Sequence, residues 1–144
     1  FLPENSWQQA KEEAQDKEFH GKYDIWGGDI DPRAVALAKE NARKAGVAED
    51  IRFEVADMRA FHRDSDYGQL VTNPPYGQRL MEKAEAEQLY REFGKVWRKL
   101  PKGWRTLVLS SHTEFERTFG AVADKKRKLY NGMLKCDLFI YGKV

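Results

Sequence analysis

The feature that most constrains this chain is an apolar segment that runs directly into two prolines, Leu70-Val71-Thr72-Asn73-Pro74-Pro75-Tyr76-Gly77. Its first residues are typical of a strand. The strand cannot continue through Pro74 and Pro75, because proline lacks a backbone N–H and restricts the residue before it. We therefore predict a stiff, bent loop that holds Asn73 and Tyr76 at the end of a strand.

The groups of this loop suit the recognition of a planar NH2 group. The side-chain carbonyl of Asn73 and the backbone carbonyl of Pro74 are hydrogen-bond acceptors, and Tyr76 offers a flat face on which a base can stack. An amine held by two acceptors keeps its lone pair directed elsewhere, toward an electrophilic methyl group. The alternative is a rigid turn with a buried tyrosine and no chemistry.

The composition is that of one folded domain. The chain has 144 residues, 41% hydrophobic and 12% aromatic, which suffices to bury a core. It contains no apolar run of the ~20 residues that a membrane span needs and no secretory signal, so we expect a cytoplasmic protein without a membrane partner. We predict no metal site, because the chain has a single cysteine and three scattered histidines. We expect the histidines at the surface or in supporting positions. Oligomeric state is left open.

Two further predicted strands end in acids. The segment Tyr23–Pro32 is predicted to be a short strand followed at once by a helix that Asp31 caps and Gly46 ends. A carboxylate at such a strand end commonly accepts hydrogen bonds from both ribose hydroxyls of a nucleoside, and Asp29 is the first candidate, with Asp31 second. The alternating segment Ile51–Val55 is the next strand, and Asp57 after it can accept from an adenine amino group.

Because parallel strands share the edge at which ligands bind, Asp29, Asp57 and Asn73 are predicted to line one cleft. The remaining elements are predicted as an amphipathic helix in 1–19 capped by Asn5 or Ser6, a helix from Glu85 to Leu100, a strand from Trp104 to Ser110, a short helix from Glu114 to Phe119, and an antiparallel hairpin around Asn131-Gly132.

The net charge is only +2, but Lys125, Lys126, Arg127 and Lys128 form a dense basic run. Such local clustering lets a nearly neutral domain bind phosphates. The alternative is an edge strand whose lysines prevent pairing with other chains.

Three stretches of the sequence resemble one enzyme class: Asp29-Ile30-Asp31-Pro32, Asn73 to Gly77 with Arg79, and Ala123 to Gly132. They are similar to the class I methyltransferases that use S-adenosylmethionine, and more closely to the bacterial THUMP-containing proteins often labelled N6-adenine DNA methylases, which are related to the 23S rRNA guanine-N2 methyltransferases. The resemblance covers essentially the whole chain. It implies an α/β fold with a Rossmann-like class I methyltransferase sheet, mostly parallel with a C-terminal antiparallel hairpin.

The resemblance also implies the site. The candidate residues are, for catalysis, Asn73, Pro74, Pro75 and Tyr76; for S-adenosylmethionine, Asp29, Ile30, Asp57, Met58 and Asn73; and for nucleic acid, Tyr76, Arg79, Lys125, Lys126, Arg127 and Lys128.

The chain departs from this family before its first acid, where the relatives have a strand and a glycine-rich turn that touches the methionine part of the cofactor. Gly27-Gly28 lies within the next predicted strand and does not replace that turn. No THUMP domain is present either, so residues 1–144 are predicted to be the C-terminal part of a methyltransferase domain. We expect this part alone to bind S-adenosylmethionine weakly or not at all.

The predicted reaction is methyl transfer to an exocyclic amine. Adenine N6, guanine N2 and a glutamine amide all present such a group, and the resemblance favours guanine N2 in 23S rRNA. The alternatives are an adenine-N6 DNA methyltransferase and a catalytically silent RNA-binding module.

Overall fold

The computed structural model describes residues 3–77 and 80–142 and divides the chain into two compact units, Phe1–Val55 and Ala56–Val144. Each unit has its own sheet, of two strands in the first and four in the second. The prediction of a single domain over 1–144 stays a prediction. Within the described residues, no helix combines the length and apolar character needed to cross a membrane.

The first unit is a small α/β layer. Its elements are α1 (Ser6–Asp16), β1 (Ile25–Asp29), α2 (Pro32–Ala45), a 3-10 turn (Ala48–Asp50) and β2 (Ile51–Val55). β1 and β2 pair in parallel with Asp29 opposite Val55. Gly27-Gly28 lies inside β1, as predicted, and the absence of a side chain at Gly27 leaves room for the Phe53 ring from β2.

The two helices of this unit differ in how firmly they are fixed. Asp31 caps α2 by accepting the Arg33 N–H at 2.8 Å, and Gly46 ends it with φ +74°, both as predicted. α1 is shorter than predicted, Asn5 occupies its cap position without a side-chain hydrogen bond, and none of its residues is buried. The predicted apolar face of α1 is therefore exposed.

The second unit is larger and mixed in strand direction. Its elements are a 3-10 turn (Met58–Ala60), β3 (Tyr67–Thr72), α3 (Leu80–Trp97), β4 (Gly103–Ser110), α4 (Phe115–Phe119), β5 (Lys125–Asn131) and β6 (Leu134–Tyr141). The strand order is β3-β4-β6-β5. β3 and β4 are parallel, whereas β6 runs antiparallel to both β4 and β5.

An aromatic core joins α3 and α4 to this sheet, with the fully buried rings of Tyr90, Phe93, Phe115 and Phe119 at its centre. α3 covers a different span from the predicted one, starting five residues earlier and ending at Trp97. Its end tightens into hydrogen bonds of 3-10 type before Pro101, with the Leu100 N–H donating to the Trp97 carbonyl at 3.0 Å.

The predicted terminal hairpin is present. Asn131 pairs with Leu134, so Gly132 and Met133 form the two-residue turn, and Gly132 has φ +62°. Glycine with positive φ at the first turn position, followed by a residue without it, fits a type II′ turn. Asn131 is therefore the last residue of β5, which leaves its side chain available for a contact.

Candidate functional site

The Asn-Pro-Pro-Tyr loop follows β3 directly, because β3 ends at Thr72. Asn73 is exposed, Pro74 is buried and Tyr76 is partly buried. The predicted position of the asparagine and the aromatic, directly after the end of a strand, is confirmed.

The loop is anchored to α3 through one carbonyl. The Tyr90 hydroxyl donates a short hydrogen bond to the Pro75 carbonyl oxygen and lies 3.4 Å from Ser110 Oγ. Tyr90 is fully buried, and burial raises the pKa of its phenol, so the group keeps its proton and remains a donor. Among the hydrogen bonds of the described residues, none uses the Pro74 carbonyl. The Asn73 side chain interacts with the Tyr76 hydroxyl and lowers its pKa, which indicates that the Asn73 NH2 group donates and leaves its oxygen as an acceptor. The two acceptors that an amine would need are therefore not consumed by this anchor.

Gly77 lets the loop approach α3 closely. It has φ +66°, and a Cβ on it would lie 2.7 Å from Lys83 Cα and 2.8 Å from Ala86 Cβ. Such distances exclude any side chain without movement of the backbone. The glycine of the Asn-Pro-Pro-Tyr-Gly stretch thus has a packing reason that the sequence did not reveal.

Asn131 joins the hairpin to the site. Its Nδ2 donates to the Tyr76 hydroxyl at 3.2 Å. The pKa of Tyr76 is raised, mainly by burial, while hydrogen bonding with Asn131 and Asn73 acts in the opposite direction. Sequence reasoning missed this role of Asn131, because an asparagine followed by a glycine indicated only a turn.

A partly buried hydrogen bond between His112 and Glu87 supports the loop that follows β4. His112 Nε2 lies 3.0 Å from Glu87 Oε1, and their side chains are 7% and 16% exposed. The His112 N–H also donates to Ser110 Oγ at 3.1 Å. His112 is therefore a supporting residue, one of the two positions expected for the histidines. In the described part of the chain, no group of three His, Cys, Asp or Glu side chains could hold a metal ion.

Two clefts of opposite charge share Tyr76 and Gly77 as a wall. The first has a volume of about 1040 Å³, and acidic side chains including Glu85 and Glu92 line it. The second has a volume of about 540 Å³ and carries Lys83 and Lys135. The loop thus separates an acidic surface from a basic one.

Asp57 lies after β2 as predicted, but a neighbouring arginine engages its carboxylate. It accepts the Arg59 N–H at 2.9 Å and the Arg59 Nε at 3.0 Å, which caps the turn Met58–Ala60. The Arg59 side chain is the main cause of the lowered pKa of Asp57, and Arg59 also lines the first cleft. Met58 packs against the hydrophobic core of the second unit. The adenine contacts of Asp57 and Met58 stay predictions, and Arg59 joins the candidates.

In the first unit, Asp29 ends β1 and its Oδ1 accepts the Asp31 N–H at 2.8 Å. This bond orients the carboxylate and leaves Oδ2 available, while the adjacent Ile30 is 65% exposed. Asp31 itself pairs with Arg33, which lowers the pKa of Asp31, so its described role is to cap α2. A common cleft for Asp29 and Asn73, which belong to different units, stays a prediction.

The basic run forms strand β5, whose residues are all exposed. Lys126 is not a free cation, because its Nζ lies 2.7 Å from Glu116 Oε1. Since Asn131 contacts Tyr76 and a strand rises about 3.4 Å per residue, Lys128 lies roughly 10 Å from that contact and Lys125 roughly 20 Å. Arg79 lies outside the described residues.

The comparisons with known proteins agree on one family. Residues 2–140 match the family described as RMKL-like, methyltransferase domain. The chain is 42% identical over 94% of its length to the ribosomal RNA large subunit methyltransferase K/L of Shewanella baltica (strain OS185), and it covers 20% of that protein. It covers 37% of a Bacillus subtilis relative, so it spans a fifth to two fifths of these curated relatives.

Two solved structures show the same fold. The crystal structure of SMU.472 complexed with SAH has a TM-score of 0.86 at 37% identity, covering all of this chain and 38% of that one. A predicted N6-adenine-specific DNA methylase from Listeria monocytogenes has a TM-score of 0.82 at 39% identity, covering 99% of this chain and 37% of that one. The predicted Rossmann-like methyltransferase fold with its antiparallel hairpin is confirmed, and the chain belongs to the RMKL-like methyltransferase domain family.

Proposed function

We propose that this chain is part of an enzyme that transfers a methyl group from S-adenosylmethionine to an exocyclic amine of a nucleic-acid base. The observation that carries this proposal is the anchoring of the Asn-Pro-Pro-Tyr loop. Tyr90 holds it through the Pro75 carbonyl, so the Asn73 side-chain oxygen and the Pro74 carbonyl are left as a pair of acceptors at a strand end. Two acceptors on one loop suit an NH2 group, which has two N–H donors.

Several groups of the chain have the charge and the hydrogen-bonding capacity that S-adenosylmethionine requires. The cofactor carries a sulfonium and an ammonium, and the first cleft beside the loop has acidic side chains. Asp29, oriented by the Asp31 N–H, has the free carboxylate oxygen that ribose hydroxyls need. A relative, SMU.472, is complexed with SAH, which is the cofactor without its methyl group. When bound, the cofactor supplies an electrophilic methyl group.

The chain contributes mainly positioning to such a reaction. Asn73 and Pro74 would accept hydrogen bonds from the two N–H groups of the amine and so direct the nitrogen lone pair toward the methyl donor. Formation of the N–C bond as the S–C bond breaks would place positive charge on the nitrogen until it loses a proton to solvent, and the same acceptor oxygens would stabilise that charge. Tyr76 gives the base a stacking surface, which a base flipped out of a helix requires.

Guanine N2 in 23S rRNA is the target we favour. The support is the name of the Shewanella relative, which is a ribosomal RNA large subunit methyltransferase, together with the exposed cations of β5. Such a substrate would place the protein in the cytoplasm. The second candidate is adenine N6 in DNA, which the name of the Listeria structure favours.

The test uses the natural full-length protein and tritiated S-adenosylmethionine, with deproteinised rRNA and genomic DNA as competing substrates. We expect label in rRNA and its loss in Asn73→Ala, while Asn41→Ala, an exposed asparagine of α2, keeps full activity. Label in DNA alone would select the second candidate. No transfer to either, with RNA affinity unchanged in Asn73→Ala, would support the silent RNA-binding module instead.

A further inference from the structure

The second cleft carries two lysines that form no close ion pair within the described residues. Lys83 on α3 and Lys135 on β6 both line it beside Tyr76. Among the ion pairs of the described residues, neither lysine has a partner within 4.0 Å, whereas Lys126 of the basic run is paired with Glu116. The charge available for a ligand is therefore next to the loop and not along the whole run.

The carboxylates near this cleft have other close partners, and Glu114 also has a longer-range electrostatic interaction with Lys83. Glu87 pairs with His112, and Glu114 pairs with Arg117. The remaining groups of the cleft include the hydroxyl residues Ser111 and Thr113, which can donate hydrogen bonds. Ammonium groups with hydroxyl donors beside them match a phosphate in charge and in hydrogen bonding.

The first cleft is less suited to this ligand, because the arginine that lines it, Arg59, is paired with Asp57. Its acidic side chains, among them Glu85 and Glu92, would repel a phosphate. Since both clefts share Tyr76 and Gly77, the loop divides a side suited to a cationic ligand from a side suited to an anionic one.

The sheet register adds an aromatic surface to the basic side. Tyr130 pairs directly with Lys135, and Lys128 with Asp137 two residues along. Directly opposite residues of an antiparallel pair point to the same face, so Tyr130, Lys135 and Lys128 share one face of the hairpin with a single acid, Asp137. Tyr130 is 71% exposed although it is a large aromatic. A basic face with an exposed aromatic is the pattern used to bind single-stranded nucleic acid.

We propose that Lys83 and Lys135 bind the phosphate of the target nucleotide in the second cleft, and that Tyr130 stacks against the adjacent unpaired base. The ligand is thus a single-stranded or extruded segment of nucleic acid whose backbone enters from the hairpin side of Tyr76. This inference rests on the proposed function, because only a methyltransferase has a target nucleotide. The binding of nucleic acid can still be tested without methyl transfer.

The experiment measures the affinity of the full-length protein for a fluorescein-labelled single-stranded RNA by anisotropy over a series of salt concentrations. The variants are Lys83→Gln, Lys135→Gln and the double variant. Lys102→Gln is the matched control, since Lys102 is an exposed lysine in the turn before β4. Each lysine that binds a phosphate of the single strand adds about 0.7 to the slope of log affinity against log salt, so each substitution should make that slope shallower by about this amount. The control should keep the wild-type slope.

Tyr130 is tested in the same assay with Tyr130→Ala and Tyr130→Phe. Removal of base stacking should weaken binding by about fivefold or more in Tyr130→Ala, with an unchanged salt slope. Tyr130→Phe keeps the ring and should bind like the wild type. Thermal midpoints of all variants verify that they are folded.

An unchanged salt slope in the double variant, with its thermal midpoint preserved, would overturn the phosphate site. Equal weakening in Tyr130→Ala and Tyr130→Phe would overturn the stacking role. If the slopes change but no methyl transfer is ever detected, the inference stands and the proposed function fails. If methyl transfer is normal in the double variant and its slope is unchanged, the proposed function stands and the inference fails. A slope change with DNA of the same sequence would also support the inference, because the site binds phosphate.

Discussion

Tyr90→Phe tests whether the Asn-Pro-Pro-Tyr loop is held by a single buried hydroxyl. The Tyr90 ring is fully buried, and its hydroxyl donates to the Pro75 carbonyl and contacts Ser110 Oγ. Phenylalanine keeps the ring packing but leaves the carbonyl without its donor. An unsatisfied buried polar group costs about 1–3 kcal/mol, so the unfolding equilibrium constant should rise by about 5- to 150-fold.

The assay is urea unfolding of the wild-type and variant chains with a common slope m. Tyr67→Phe is the matched control, because Tyr67 is 81% exposed and surface substitutions change stability by less than about 0.5 kcal/mol. A destabilisation of Tyr90→Phe no larger than that of the control would refute the anchor.

The same substitution has a predicted pH dependence. Burial raises the folded-state pKa of Tyr90 above the ordinary value of 10.0. The contribution of the protonated phenol to stability is therefore fully present below about pH 10 and is lost as the pH rises through the folded-state pKa. The difference in stability between wild type and Tyr90→Phe should shrink as the pH is raised above 10, and a difference that grows there would contradict the assignment.

Three other measurements test the packing and the charges. Gly77→Ala should destabilise the chain more than Gly132→Ala in thermal unfolding, because both glycines have positive φ but only the Cβ at 77 meets other atoms within 4 Å; the left-handed strain common to both is about 1–2 kcal/mol, and equal effects would refute the close approach. In hydrogen exchange, amides of β1 should exchange faster than those of β4, because among the described residues of the first unit only Val35 and Ala42 are buried. Equal protection of the two strands would refute the expected difference in local stability. Glu116 has a lowered pKa, because hydrogen bonds from Lys126 and the Ala123 N–H outweigh the opposing effect of burial. The contribution of this carboxylate to stability should be lost as the pH falls through that pKa. Glu116→Gln should therefore make the stability of the chain depend less on acid pH, and an unchanged dependence would contradict the assignment.

The basic run illustrates how far local sequence reasoning reaches. Four consecutive cations predicted a phosphate-binding segment, and they do form an exposed strand. Successive side chains of a strand point to opposite faces, and one of the four is neutralised by an acid from α4. Lys83, which lies far from the run in sequence, is instead beside the loop. Charge clustering along the chain predicted a negatively charged ligand, which stays a prediction. It did not reveal which of the cations are paired with acids of the protein.

Features that depend on a few neighbouring residues could be predicted from the amino-acid sequence. The prolines after β3, the Asp31 cap and the glycine at the end of α2 each act through their own backbone or a few neighbours, and they lie where they were predicted. The hairpin turn is displaced by one residue, from the predicted Asn131-Gly132 to Gly132-Met133. The contacts between distant residues became visible only in the folded chain: the Tyr90 anchor on Pro75, the contact of Asn131 with Tyr76, and the contact of His112 with Glu87. These partners are 15 to 55 residues apart, so their contact depends on the packing of α3 and the hairpin against the sheet, which no short-range pattern encodes.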